Sequence, residues 1–149
     1  MRSPELAADY VRRAKARLAA VDALYAGASW ADVVRESQEV VELALKGLLR
    51  SAGIEPPRIH DVSDVLLAER ERFPKALQRN LERLAAGSRT LRRDRELAFD
   101  GAEDLTPSGF STQDDATAAR EIARTTVAAV EPHVQRAIEA LGVSWQGFE

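Results

Sequence analysis

SWADVVRESQEVVELALKGLLRSAG, residues 29–53, is the stretch on which the fold turns. Its apolar positions Val33, Val34, Val40, Val41, Ala44, Leu45, Leu48, Leu49 and Ala52 recur at three- and four-residue intervals, which gathers them into one wide stripe along a helix. Arg35, Glu36, Glu39, Glu42, Lys46 and Arg50 fall away from that stripe, and Glu42 to Lys46 is a favourably oriented i,i+4 pair. Ser29 stands where a helix is capped, Asp32 follows in the first turn, and Gly53 before Pro56 and Pro57 is a stop signal. A helix of about 35 Å, at roughly 1.5 Å per residue, needs neighbours of similar length to cover its apolar face.

The flanking segments supply them. Ser3 and Pro4 open an alanine-rich helix with Leu6, Tyr10, Ala14, Leu18, Val21 and Tyr25 as its stripe, ended by Gly27. Beyond the proline-bearing connector, Asp61 with Asp64 is suited to cap a short helix carrying Val62, Val65, Leu66 and Leu67. After Pro74 a further helix aligns Leu77, Leu81, Leu84 and Leu91, with Gly87 as a weak point, and finishes in LRRDRELAFDG. Residues 100–110 are rich in glycine, proline and acids and read as a loop. Ser111 or Thr112 then caps a long helix with the stripe Ala119, Ala123, Thr126, Val127, Val130, Val134, Ala137 and Leu141, closed by Gly142. Pro132 is expected to kink or break it, and Trp145 and Phe148 in the tail (residues 143–149) to dock on the domain or on a second copy. With no strand pattern and short connections, the architecture expected is all-α: one domain over residues 1–149, an up-and-down bundle of four main helices plus one short helix.

Composition bounds the function classes. At 149 residues the chain holds one good core, and a formal charge of -3 gives no overall field for nucleic acid. The absence of cysteine removes disulfides and thiolate metal sites. No apolar run reaches the roughly 20 residues of a membrane span, so a cytoplasmic protein without membrane contact is expected. The two histidines, His60 and His133, have no metal-ligand spacing, and neither a phosphate-cradling glycine loop nor a nucleophile turn is present. No catalytic residue, metal or cofactor is therefore assigned. What remains is the arginine group Arg89, Arg92, Arg93 and Arg95. Arg95 lies eighteen positions after Leu77, so an unbroken helix aims its charge where the leucines point. Two readings stay open. In one, Arg89 and Arg93 are solvated and Arg95 pairs with Glu39, Glu42 or Asp61 as structural carboxylates. In the other, Arg92 and Arg95 line a cleft and grip a phosphate with their planar forks of donors. His60 either packs over the end of the central helix or joins that cleft.

The order of three segments carries a resemblance: SQEVVELALKGLLRSAGI, then the His60–Asp61 dipeptide opening a short helix, then a leucine helix ending in LRRDRELAFDG. It resembles the HEPN domain (higher eukaryotes and prokaryotes nucleotide-binding) of stand-alone prokaryotic type, over about residues 3–141. Gln38, Glu42, Leu45, Lys46, Leu48 and Leu49 fill the places of its central-helix pattern. The resemblance implies a small helical bundle that pairs as a homodimer, sits in toxin–antitoxin-like settings beside a minimal nucleotidyltransferase, and binds nucleotide or RNA, with Arg92, Arg95, His60 and Lys46 as candidate ligand contacts. Catalytic branches carry an arginine followed four to six residues later by a histidine. Here Arg58 precedes His60 by two and Arg124 precedes His133 by nine, and Asp100 stands where such relatives often carry tyrosine. Metal-free RNA cleavage needs both a base and an acid, so the departure points to a non-catalytic module. The alternatives are a divergent metal-independent ribonuclease using His60, or a purely structural dimerisation module.

Overall fold

In a computed structural model, residues 3–58, 61–100 and 111–145 are described, with side chains for 4–58, 61–93 and 111–145. Among the described residues five α-helices follow one another: α1 (Ser3–Ala26), α2 (Trp30–Ser51), α3 (Val62–Ala68), α4 (Lys75–Asp100) and α5 (Gln113–Ala140), with a 3-10 turn, Arg70–Arg72, between α3 and α4. No strand occurs among the described residues.

Helix α2 is the centre of the bundle. Val33, Val34, Val40, Val41, Ala44, Leu45, Leu48 and Leu49 are all buried, as their spacing requires, and Ser37, Gln38, Leu43 and Gly47 widen the buried face beyond one stripe. That width reflects two long neighbours, α1 and α5, lying against it, with α4 as a third. Its end is a Schellman motif: Gly53 at φ 76° donates to the Arg50 carbonyl and Ile54 to the Leu49 carbonyl. At the other end Ser29 holds the capping position without capping by its side chain, and its hydroxyl instead donates to Asp32 Oδ2 at 2.6 Å. The hydroxyl oxygen therefore does not serve as acceptor for the first amides of α2.

Helix α1 runs antiparallel to both α2 and α5, as Arg17–Glu36 on one side and Lys15–Glu131 and Tyr25–Thr117 on the other require. Its core face is rotated from the expected one: Ala7, Ala8, Val11, Ala14 and Val21 are buried, while Leu6, Tyr10, Leu18 and Tyr25 are half-buried on the flank. The cause lies on α2. A Cβ at Gly47 would stand 3.1 Å from the Ala7 carbonyl oxygen and 3.1 Å from Val11 Cγ2, so the two backbones approach closely through small residues. The large side chains of α1 are displaced to the edges of the contact.

On α4, Leu77, Leu81, Leu84 and Leu91 are buried on one line, and Gly87 does not interrupt the helix. A Cβ at Gly87 would lie 2.8 Å from Ile122 Cγ2, so this glycine sits where α4 and α5 pass each other. Helix α5 begins with a capping box in which Thr112 and Asp115 serve each other's amides. It continues through Pro132, which neither ends nor divides it. Val130, His133 and Val134 around the proline are buried, and that packing outweighs one lost backbone bond. The last turn departs from the expected stripe: Ile138 is buried and Leu141 is 65% exposed. Four residues on from Val134, the 3.6-residue repeat reaches Ile138, and the chain then turns at Gly142 (φ 81°). Trp145 is buried in the same core, so this part of the tail docks on its own domain. Phe148 and residues 101–110 lie outside the described residues. Among the described residues no helix is long and apolar enough to cross a membrane.

Candidate functional site

The arginines of α4 meet the beginning of α3. Asp61 is the N-cap of α3, its backbone extended at φ -62° and ψ 128°, and its Oδ1 accepts from the Ser63 amide at 2.9 Å and from the Ser63 hydroxyl at 2.7 Å. A short polar side chain before Val62 therefore acts as a cap because the first amides of any helix lack partners. Val62 and Leu66 sink into the core and fix α3 against α4. The cap is then presented to the arginines one turn apart on the facing helix.

Arg89 donates from Nε to Ser63 Oγ at 3.1 Å and from Nη2 to Asp64 Oδ1 at 2.7 Å. Its side chain is 49% exposed, in keeping with the reading in which it is solvated, and the first turn of α3 also offers it a hydroxyl and a carboxylate together, matched to the fork of the guanidinium. Arg92 Nη1 lies 3.6 Å from Asp61 Oδ1, an ion pair longer than a hydrogen bond, and its side chain is 41% exposed. Burial alone would raise the Asp61 carboxyl; the two Ser63 hydrogen bonds, helped by Arg92 and Arg89, outweigh it and hold the group below its ordinary value. Asp61 is thus a charged carboxylate that already accepts two hydrogen bonds from Ser63, and Arg92 pairs with it by charge while keeping its donor fork free of it.

Of the other candidates, Lys46, Glu39 and Glu42 are half-buried on α2. The expected Glu42–Lys46 pair is not formed, and among the described residues Lys46 makes no ion pair. An i,i+4 pair stabilises by only about 0.2–0.5 kcal/mol, too little to hold two long side chains in one geometry. His60 and the side chain of Arg95 lie outside the described residues, so the misplaced charge on the leucine stripe is not located. Arg93 is exposed.

Ser63 is the member of this cluster that sequence reasoning missed. Its signal was available: a hydroxyl two residues after a capping aspartate can bond back to it. Which arginine would reach it was not legible, since that depends on the register of α4 against α3. Among the described residues no group of three histidines or carboxylates could hold a metal ion.

No curated protein and no solved structure shows significant similarity to the chain. A family model, that of the HEPN domain, matches residues 7–133, from the first turn of α1 to the buried histidine of α5. That span includes the whole α3–α4 cluster, and the chain belongs to this family.

Proposed function

We propose that this HEPN-domain chain is a non-catalytic module that pairs as a homodimer and receives a phosphate-bearing ligand, a nucleotide in the first instance, at the arginine face of α4. The observation that carries the reading is the state of Arg92. Among the described residues its one ion-pair partner is a carboxylate at 3.6 Å that already accepts two shorter bonds from Ser63, and its side chain is 41% exposed. A guanidinium so placed is positioned by the fold without being consumed by it, and its remaining donors match the oxygens of a phosphate. Arg89, held by Ser63 and Asp64, adds positive charge beside it. Arg95 leaves the same helix three residues later, and His60 immediately precedes Asp61 in sequence, so both are candidates for the same ligand. Lys46 is a candidate on the neighbouring helix.

The non-catalytic part of the reading rests on spacing. No arginine of the chain has a histidine four to six residues after it, so the acid–base pair that metal-free RNA cleavage requires is not supplied by one helix turn. Such modules also act beside a minimal nucleotidyltransferase, and the same arginine face is the surface offered to that partner in a toxin–antitoxin-like setting.

The test is thermal unfolding and calorimetric titration of the chain and of Arg92→Ala with nucleoside mono-, di- and triphosphates, with sedimentation to give the mass. The reading expects a dimer, a nucleotide-dependent rise in Tm for the unsubstituted chain, and its loss in Arg92→Ala. A monomer, or a nucleotide shift unaffected by Arg92→Ala, would refute it. RNA incubated with the chain in the absence of metal is expected to remain intact.

A further inference from the structure

A second cluster of positive groups lies at the opposite end of α4. Where α2 ends, the 3-10 turn leads into α4 and α5 passes by, the surface encloses a cleft of about 330 Å³. Arg72, Arg136 and His133 line it, against a wall of Ala52, Pro74 and Ala137. Pro74 is fifteen residues before Arg89, so the cleft lies about 22 Å along α4 from the arginine face described above, at roughly 1.5 Å per residue.

His133 is the unusual member. The residue is 9% exposed, yet neither ring nitrogen makes a hydrogen bond among the described residues. Its ring is held edge-on to Phe73, with the centroids 6.2 Å apart. Its ring nitrogens are not among the fully buried unpartnered atoms, so they are open to the cleft, where an incoming group can reach them. Arg72 is anchored by its Nη2 bond to the Ala52 carbonyl at 2.8 Å, which also answers the negative end of α2, and Glu69 approaches it only to 3.9 Å. Arg136 is exposed, one helical turn beyond His133, and forms no ion pair among the described residues.

We infer that this cleft is an anion site for a phosphate monoester, with Arg72 and Arg136 as the clamp, His133 as the third donor, and the Ala52–Pro74–Ala137 wall against the ester group. Three donor groups on one cleft suit the three terminal oxygens of a phosphate monoester, whereas a carboxylate has two. The charged and titratable groups facing His133 are Arg136 from its own helix and Arg72 from the 3-10 turn; Ser51 and Ala52 of α2, Phe73 and Pro74 are uncharged. In the folded chain burial and then Arg136 hold the imidazole below its ordinary value, so it is neutral near pH 7. A dianion placed between the arginines reverses that balance and favours imidazolium, so binding takes up a proton and tightens as pH falls. None of this depends on the arginine face of α4.

The experiment follows the two histidine C2–H resonances by NMR while phenyl phosphate is added, with phenol and benzoate as controls and His133→Gln to assign the peak. The expected result is a saturable shift of the His133 resonance, an apparent His133 pKa raised by about one unit, and about two- to threefold tighter binding at pH 6.5 than at pH 8. Arg136→Ala, which removes an exposed side chain with no ion pair among the described residues, is expected to weaken binding read at the His133 resonance about tenfold or more, whereas any second phosphate site at the arginine face of α4 leaves that resonance unmoved. His133→Gln should keep binding at pH 8 and lose the pH dependence. A His133 resonance that does not move, binding unaltered in Arg136→Ala, or benzoate binding as well as phenyl phosphate would each overturn the inference.

Discussion

Asp61 performs two tasks that substitution can separate. Replacing it with alanine removes the acceptor of the Ser63 amide and hydroxyl and the partner of Arg92. Loss of an N-cap costs about 1 kcal/mol, and an ion pair with a side chain as exposed as Arg92 adds about 0.5 kcal/mol. Asp61→Ala should therefore lower stability by about 1.5 kcal/mol, a fall in Tm of roughly 3–6 °C for a domain of this size. Asparagine caps as well as aspartate and keeps Oδ1, so Asp61→Asn should lose only the charge, about 0.5 kcal/mol. The sign with pH follows from the carboxyl being held below its ordinary value in the folded chain. Its stabilisation is complete above the unfolded value near 4 and is lost as pH falls through the lower, folded one. The gap between the unsubstituted chain and Asp61→Asn should thus be constant from pH 7 to about 5 and close below about 4. Urea unfolding of the three proteins across that range is the assay. If Asp61→Asn were as damaging as Asp61→Ala at pH 7, or if the gap persisted at pH 2.5, the division into cap and charge would be wrong.

Three further outcomes follow from the packing and from His133. Leu66→Ala, at a fully buried position that ties α3 to the core, should cost about 2–5 kcal/mol in urea unfolding. Gly47→Val should cost about 1–3 kcal/mol despite the better helix propensity of valine, because the neighbour at 3.1 Å is the Ala7 backbone oxygen, which has little room to yield; unchanged stability would show that α1 can retreat. Because burial keeps His133 neutral when folded, the unfolded chain binds more protons near pH 6, so stability should decline as pH falls from about 7 to 5, and His133→Gln should flatten that part of the profile.

The bundle was legible in the sequence because α2 repeats its apolar residues at helical spacing and because glycines and capping residues mark the ends. Gly53 and Gly142 take positive φ at the predicted stops, and Thr112 caps α5. What was not legible depends on partners across space. The face of α1 is set by Gly47 on another helix, and the reach of α5 past Pro132 by the core beneath it. At the candidate site, Asp61 as a cap is a local property and was readable, whereas the assignment of Arg89 to Asp64 and Arg92 to Asp61 depends on the register between α3 and α4. In the sequence His133 fits neither a metal-ligand spacing nor the arginine–histidine spacing of the catalytic branches, and no feature of the one-dimensional pattern places Arg72 and Arg136 on one cleft with it.

Helix α2 touches α1, α3, α4 and α5, while α3 and α4 meet the rest of the molecule chiefly through it. The chain is therefore divided into a thick slab, α1–α2–α5, and a thinner flap, α3–α4, seated chiefly on α2 with a narrower contact to α5 at Gly87. Amide exchange under native conditions should reveal the partition: protons of α2 exchanging last, only when the whole molecule opens, and those of α3 exchanging earlier through a partial opening that leaves the slab intact. A ligand gripped by the flap would then be felt as slower exchange in α3 well before it altered the behaviour of α1.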